Sequence, residues 1–147
     1  MSKTLLYRLF GLGRIPRRQR AALETEGVVL SEEGIRGSIT YKDFKAPGKR
    51  ILWRKRTFIG SLVLTEKSIF TIITVGFSKH LINVPFSNPR FERFQFTIQN
   101  KQCLCITFDA SNSGQNQSGT LERRFFTPQA QLFLEKLNRK HSNQSLK

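Results

Sequence analysis

From Ile35 onwards the chain alternates. Ile35, Gly37, Ile39 and Tyr41 take turns with Arg36, Ser38, Thr40 and Lys42. Successive side chains leave a strand on opposite sides, so this is the pattern of a strand with one face on a core and the other in water. The rhythm returns in residues 91–98, where Phe94, Phe96 and Ile98 oppose Arg93, Gln95 and Thr97. It returns again in 102–108, where Leu104, Ile106 and Phe108 share a face. The apolar residues that are present support the same class. There are 13 Phe against one Met and one Trp, with Ile, Val and Thr in short runs. Aromatic and β-branched side chains suit a pleated, half-buried surface.

The punctuation between these runs predicts the elements. Residues 27–30 read as a short strand entering a turn at Glu32-Glu33-Gly34. The strand from Ile35 is followed by a loop over 43–50 that contains Pro47-Gly48. A long apolar and basic strand then covers 51–65, bent or interrupted at Gly60. Glu66-Lys67 turns the chain into 68–75, which is apolar on both faces and therefore central in a sheet. Further strands are expected at 80–84, 91–98, 102–108 and 119–126, with a polar loop over 109–118. Thr127-Pro128 is a helix start, a hydroxyl cap followed by proline in the first turn. Ala130, Phe133, Leu134 and Leu137 form its apolar stripe, Leu132 lies off it, and the tail from Asn138 is expected to fray.

The expectation is a mainly β protein of about seven antiparallel strands, curled into a barrel and plugged at one end by a C-terminal amphipathic helix. The domain would cover 27–138, with a basic extension over 1–26 and a polar tail over 139–147. A chain of 147 residues can bury such a core without disulfides or a metal. Cys103 and Cys105 are the only cysteines and fall on one strand face. They read as two reduced, structural thiols in a reducing compartment, too few for a zinc site.

Charge gives the first functional constraint. The formal net charge is +15, from 25 Lys and Arg against 10 Asp and Glu, a field that attracts polyanions. Residues 1–20 carry Lys3, Arg8, Arg14, Arg17, Arg18 and Arg20 with no acid. A second cluster comprises Lys42, Lys45, Lys49, Arg50, Arg54, Lys55 and Arg56, opposed only by Asp43. Leu5, Leu9 and Leu12 stand at helical spacing beside Leu6 and Phe10, ahead of the breakers Gly11, Gly13 and Pro16. Leu5, Leu9, Phe10, Arg14, Arg17 and Arg18 would therefore suit contact with a membrane surface, a helix packed on the domain being the simpler use of the same pattern. Glu24, Glu26, Glu32 and Glu33 read as a solvated turn.

Several classes are excluded by what these motifs lack. No apolar run is long enough to span a bilayer. His80 and His141 stand without an acid or cysteine at dyad spacing, and no phosphate-cradling glycine loop or GxSxG elbow occurs. The expectation is a protein that is not an enzyme and needs no metal or cofactor. It would sit in the cytoplasm, peripheral on the membrane where its charge docks it.

The order of elements resembles the pleckstrin-homology superfold, closest to its GRAM-like and bacterial relatives. The residues that carry the resemblance are Gly60–Thr65, the polar turn, the apolar strand Ser68–Val75, the short strand ending Ile82-Asn83-Val84-Pro85, and Phe125-Phe126-Thr127-Pro128 running into a helix. It covers residues 27–138. The resemblance implies a non-catalytic module that binds phosphoinositides or peptides, with basic residues of the first strand pair holding headgroup phosphates. Lys49, Arg54 and Arg56 fit that family's spacing of a Lys, a gap, a basic residue, any residue and Arg.

Three functions compete. The first is docking on anionic membrane lipid or an acidic protein partner through Lys42–Arg56. The second is binding of single-stranded nucleic acid, for which Trp53, Phe58, Phe91 and Phe125 would supply stacking beside basic residues. The third is a protein-interaction scaffold with no lipid role, its charge only steering association. Trp53 would suit a lipid interface, but a lone Trp amid strand residues is more often core, and it is expected there.

Overall fold

The computed structural model describes residues 15–76, 78–112 and 116–145, without the side chains of Asn112 and 143–145. Leu5, Leu9, Phe10 and Arg14 lie outside the described residues, and so does Gly11-Leu12-Gly13. Seven strands form one antiparallel sheet in the order β4-β3-β2-β1-β7-β6-β5. They are β1 (Val28–Ala46), β2 (Lys49–Thr65), β3 (Ser68–Val75), β4 (Ser78–Pro85), β5 (Gln95–Gln99), β6 (Cys103–Asp109) and β7 (Ser118–Phe126). The helices are α1 (Arg17–Glu26), α2 (Pro89–Glu92) and α3 (Ala130–Ser145). None of them is long and apolar enough to cross a membrane.

Inner-face residues from all seven strands join one core, among them Ile35, Phe58, Ile73, Val84, Phe96, Leu104 and Phe125. The sheet thus curls around a single interior. It does not close, because no ladder joins the edge strands β4 and β5 among the described residues. The expected barrel is therefore an open, curled sheet. Phe133 and Leu137 of α3 and Phe91 of α2 enter the same core.

The first hairpin is longer than its sequence signals suggest. The expected short strand, acidic turn and second strand are one 19-residue strand. Its register against β2 shifts between Glu32 and Ile35, so Glu32-Glu33-Gly34 is a bulge and not a turn. The expected loop over 43–50 shrinks to Pro47-Gly48, with Ala46 already paired to Lys49. Proline supplies the first turn residue and Gly48, at φ 72°, the left-handed second one. Gly60 does not interrupt β2. It lets that strand approach β3, since a Cβ there would meet the Ile72 carbonyl oxygen at 2.2 Å.

Strand β3 is apolar on both faces because both are covered. Ile69 and Ile73 face the main core, while Phe70 and Ile72 form a second cluster with Val63, Leu23 of α1 and Ile15. The basic extension thus ends in a helix packed on the outer face of the sheet. Residues 91–93 are not strand. Asn88 Oδ1 accepts from Arg90 N at 2.9 Å and Pro89 opens a single helical turn. At the other end α3 continues past Asn138 without fraying. His141 Nε2 lies 2.8 Å from the Phe91 carbonyl oxygen, and Lys140 donates to the Glu66 carbonyl at 3.2 Å.

Candidate anion-docking site

The hairpin of β1 and β2 carries the basic cluster into solvent. Lys42, Lys45, Lys49, Arg50, Arg54, Lys55 and Arg56 are all exposed. Only Lys42 is claimed by an acid, its Nζ 3.2 Å from Glu122 Oε2. The other six form no ion pair among the described residues. Leu52 and Trp53, 68% and 63% exposed, stand among them. The expected core placement of Trp53 is thereby corrected: it stands opposite exposed Lys42 on the hairpin, while Phe44 and Ile51 nearer the tip still reach the core.

Register decides which cations converge. Tyr41 pairs with Arg54, and Ile39 pairs with Arg56 on one side and Arg123 on the other. Directly opposed residues share a face, so Arg54, Arg56 and Arg123 all project to the inner side of the sheet, beyond the Phe58–Phe125 ring contact at 5.3 Å. Arg56 and Arg123, with Lys79, His80 and Ile39, line a cavity of about 480 Å³ that has no carboxylate among its lining residues.

Arg123 is the most constrained of these cations. Its guanidinium lies over the Phe108 ring, 4.9 Å from the centroid, and its Nε is buried with no hydrogen-bond partner. Burial pushes its pKa down to about 10, Arg90 pushes in the same direction, and Tyr41 opposes. It remains a cation at neutral pH, with no carboxylate paired to it among the described residues. Its neighbour Arg124 turns to the outer face, where Nε donates to Glu122 Oε1 at 2.6 Å. Burial alone would raise the Glu122 carboxyl, but the hydrogen bonds from Lys42 and Arg124 outweigh it and hold the group below the usual range.

The expected docking cluster from Lys42 to Arg56 does not include Arg123, Lys79 or His80. The signal for Arg123 was present: it shares parity with Leu121 and Phe125, both core residues, so the inner face of β7 had to carry it. Lys79 and His80 arrive through the hairpin of β3 and β4, which no spacing within one strand reveals.

Elsewhere the expected roles separate. Arg17 and Arg18 are exposed on the first turn of α1. The acids Glu26, Glu32 and Glu33 are brackets and not a solvated turn. Glu26 accepts from Thr65 Oγ1 at 2.8 Å and Ser68 Oγ at 2.7 Å. Glu32 accepts from Thr127 Oγ1 at 3.0 Å and Gln129 Nε2 at 2.8 Å. Glu33 takes the Ile15 amide and pairs with Arg20. Phe58, Phe91 and Phe125 are buried and unavailable to stack on bases. Cys103 and Cys105 are buried free thiols with sulfurs 3.9 Å apart. Burial and the adjacent Cys105 push Cys103 up to about 12. Neither the protein-family models nor the curated proteins give a match to this chain.

Proposed function

We propose that the protein is a non-catalytic module of the pleckstrin-homology kind that docks on anionic membrane surfaces through its first hairpin. The observation that carries this reading is the hairpin itself: six exposed cations that form no ion pair among the described residues surround exposed Leu52 and Trp53. A cation near an anionic leaflet contributes about 1 kcal/mol, and a Trp ring favours the headgroup level. The strand order, with a helix packed across one end of the curled sheet, supports the family resemblance. Single-stranded nucleic acid is less well served, because three of the four candidate stacking rings are core residues.

Co-sedimentation with phosphatidylserine-containing and neutral vesicles tests the reading at low and physiological salt. The chain should pellet with the anionic vesicles only. Lys49/Arg50/Arg54→Ala together should weaken that binding by about a hundredfold, the cost of three such contacts after screening. Equal recovery on neutral vesicles, or an unaffected triple variant, would sink it.

A further inference from the structure

The second strand changes its company along its length. Residues 59–64 of β2 lie between β1 and β3, with Ile59 opposite Thr74 as the last pair on the β3 side. Residues 49–58 pair with β1 alone. In the stretch where β3 has turned away, β2 keeps a row of backbone N–H and C=O groups with no ladder partner among the described residues. Nearly all of this stretch is exposed.

A cavity opens on each face of the sheet where β3 leaves off. The inner one, described above, reaches from Arg56 to Val75 and Ser78. The outer one, also of about 480 Å³, reaches from Lys55 and Thr57 to Thr74. Buried hydroxyls in its wall, Ser38 Oγ and Thr74 Oγ1, have no hydrogen-bond partner among the described residues. A strand laid along 49–58 would continue the line of β3. Its alternate side chains would then enter the two cavities in turn, since strand side chains alternate between faces. Each cavity presents cations to such a strand, Lys55 outside and Arg56 with Arg123 inside.

We propose that the open edge of β2, residues 49–58, is a β-augmentation site for an extended acidic peptide segment of a partner protein. The proposal rests on the unpaired edge and its flanking cavities, independently of membrane docking. Main-chain hydrogen bonds would supply affinity and the two cationic cavities the preference for acidic side chains. Charge argues against a second copy as the occupant. Pairing two such edges would set Lys49, Arg50, Arg54, Lys55 and Arg56 against the same cations, the device by which natural edges avoid self-association.

The test uses the full chain and a labelled peptide of about eight residues alternating Glu and Val, with binding read by anisotropy and amide exchange mapped along the protein. The peptide should bind and should slow exchange within 49–58. Methylating one alternate set of peptide amides should weaken binding by at least about tenfold, while methylating the other set leaves it within about twofold, because only one set faces β2. Arg56→Ala, an exposed substitution, should weaken it by about fivefold. Equal loss from both methylated sets would show simple charge attraction and overturn the proposal. Protection of 49–58 by phosphatidylserine vesicles but not by the peptide would give the edge to the membrane and also overturn it. If vesicle binding fails and the methylation pattern holds, the augmentation site stands without the docking function.

Discussion

The two ends of the curled sheet use charge in opposite ways. At the end where α1 and α3 pack, acids are consumed by structure. Glu26 ties the end of α1 to the turn between β2 and β3, and Glu32 holds Thr127, in the approach to α3, to the bulge in β1. Glu33 fixes the approach to α1. Phenylalanines fill the interior there, with Phe91 packed on Phe86 at 4.8 Å and on Phe96 at 5.7 Å. At the hairpin end the chain has cations and few acids to meet them. Glu122 holds Lys42 and Arg124, and Arg123 is left on the inner face with an aromatic ring and no carboxylate. The difference shows how a net charge becomes local: the acids are drawn to the joints, and the excess gathers where the chain makes none.

The largest test of that contrast lies at the closed end. Phe133→Ala removes a fully buried ring where α3 meets the core, and should cost about 3–5 kcal/mol in urea unfolding. At the boundary, Glu122→Gln should cost about 1 kcal/mol at neutral pH, discounted because Lys42 is half exposed. The Glu122 carboxyl is held low in the folded protein, so its stabilisation is present above the unfolded glutamate value, about 4.3, and is lost as pH falls through the lower folded value. Wild type and variant should therefore converge in acid unfolding curves; a gap that persists there would assign the effect to packing. The smallest effect belongs to the open end. Trp53→Ala should change unfolding free energy by no more than about 0.5 kcal/mol while reducing recovery on anionic vesicles.

Much of the sheet was legible because alternation is a local signal. The inner set Leu104, Ile106 and Phe108 is buried, and in the helical stripe Ala130, Phe133 and Leu137 are buried and Leu134 half-buried, as their spacing implies. Three readings went wrong for one reason, that punctuation marks a local shape without saying what pairs across it. Glu32-Glu33-Gly34 looks like a turn but is a bulge in a strand held on both flanks by β2. Asp43 to Arg50 looks like a loop, yet the chain turns only at Pro47-Gly48 and residues 44–46 pair with 49–51. Phe91 stands out of phase with Phe94, Phe96 and Ile98, and Asn88-Pro89 caps a helical turn that holds it in the core ahead of the strand. The site was legible in half. The cluster from Lys42 to Arg56 stands out in one stretch of sequence, whereas Lys79, His80 and Arg123 come from other strands.

The sequence alone determined the strand class, the antiparallel succession, the C-terminal helix and the basic character of the first hairpin, because each depends on neighbours within a few residues. Tertiary structure decided the rest. It set which cations share a face, through the pairing of Ile39 with both Arg56 and Arg123. It left Trp53 uncovered and the edge of β2 open, because β3 turns away at Val75 while β2 and β1 run on. Those outcomes depend on where one strand ends relative to another, a relation between distant segments that no local spacing encodes.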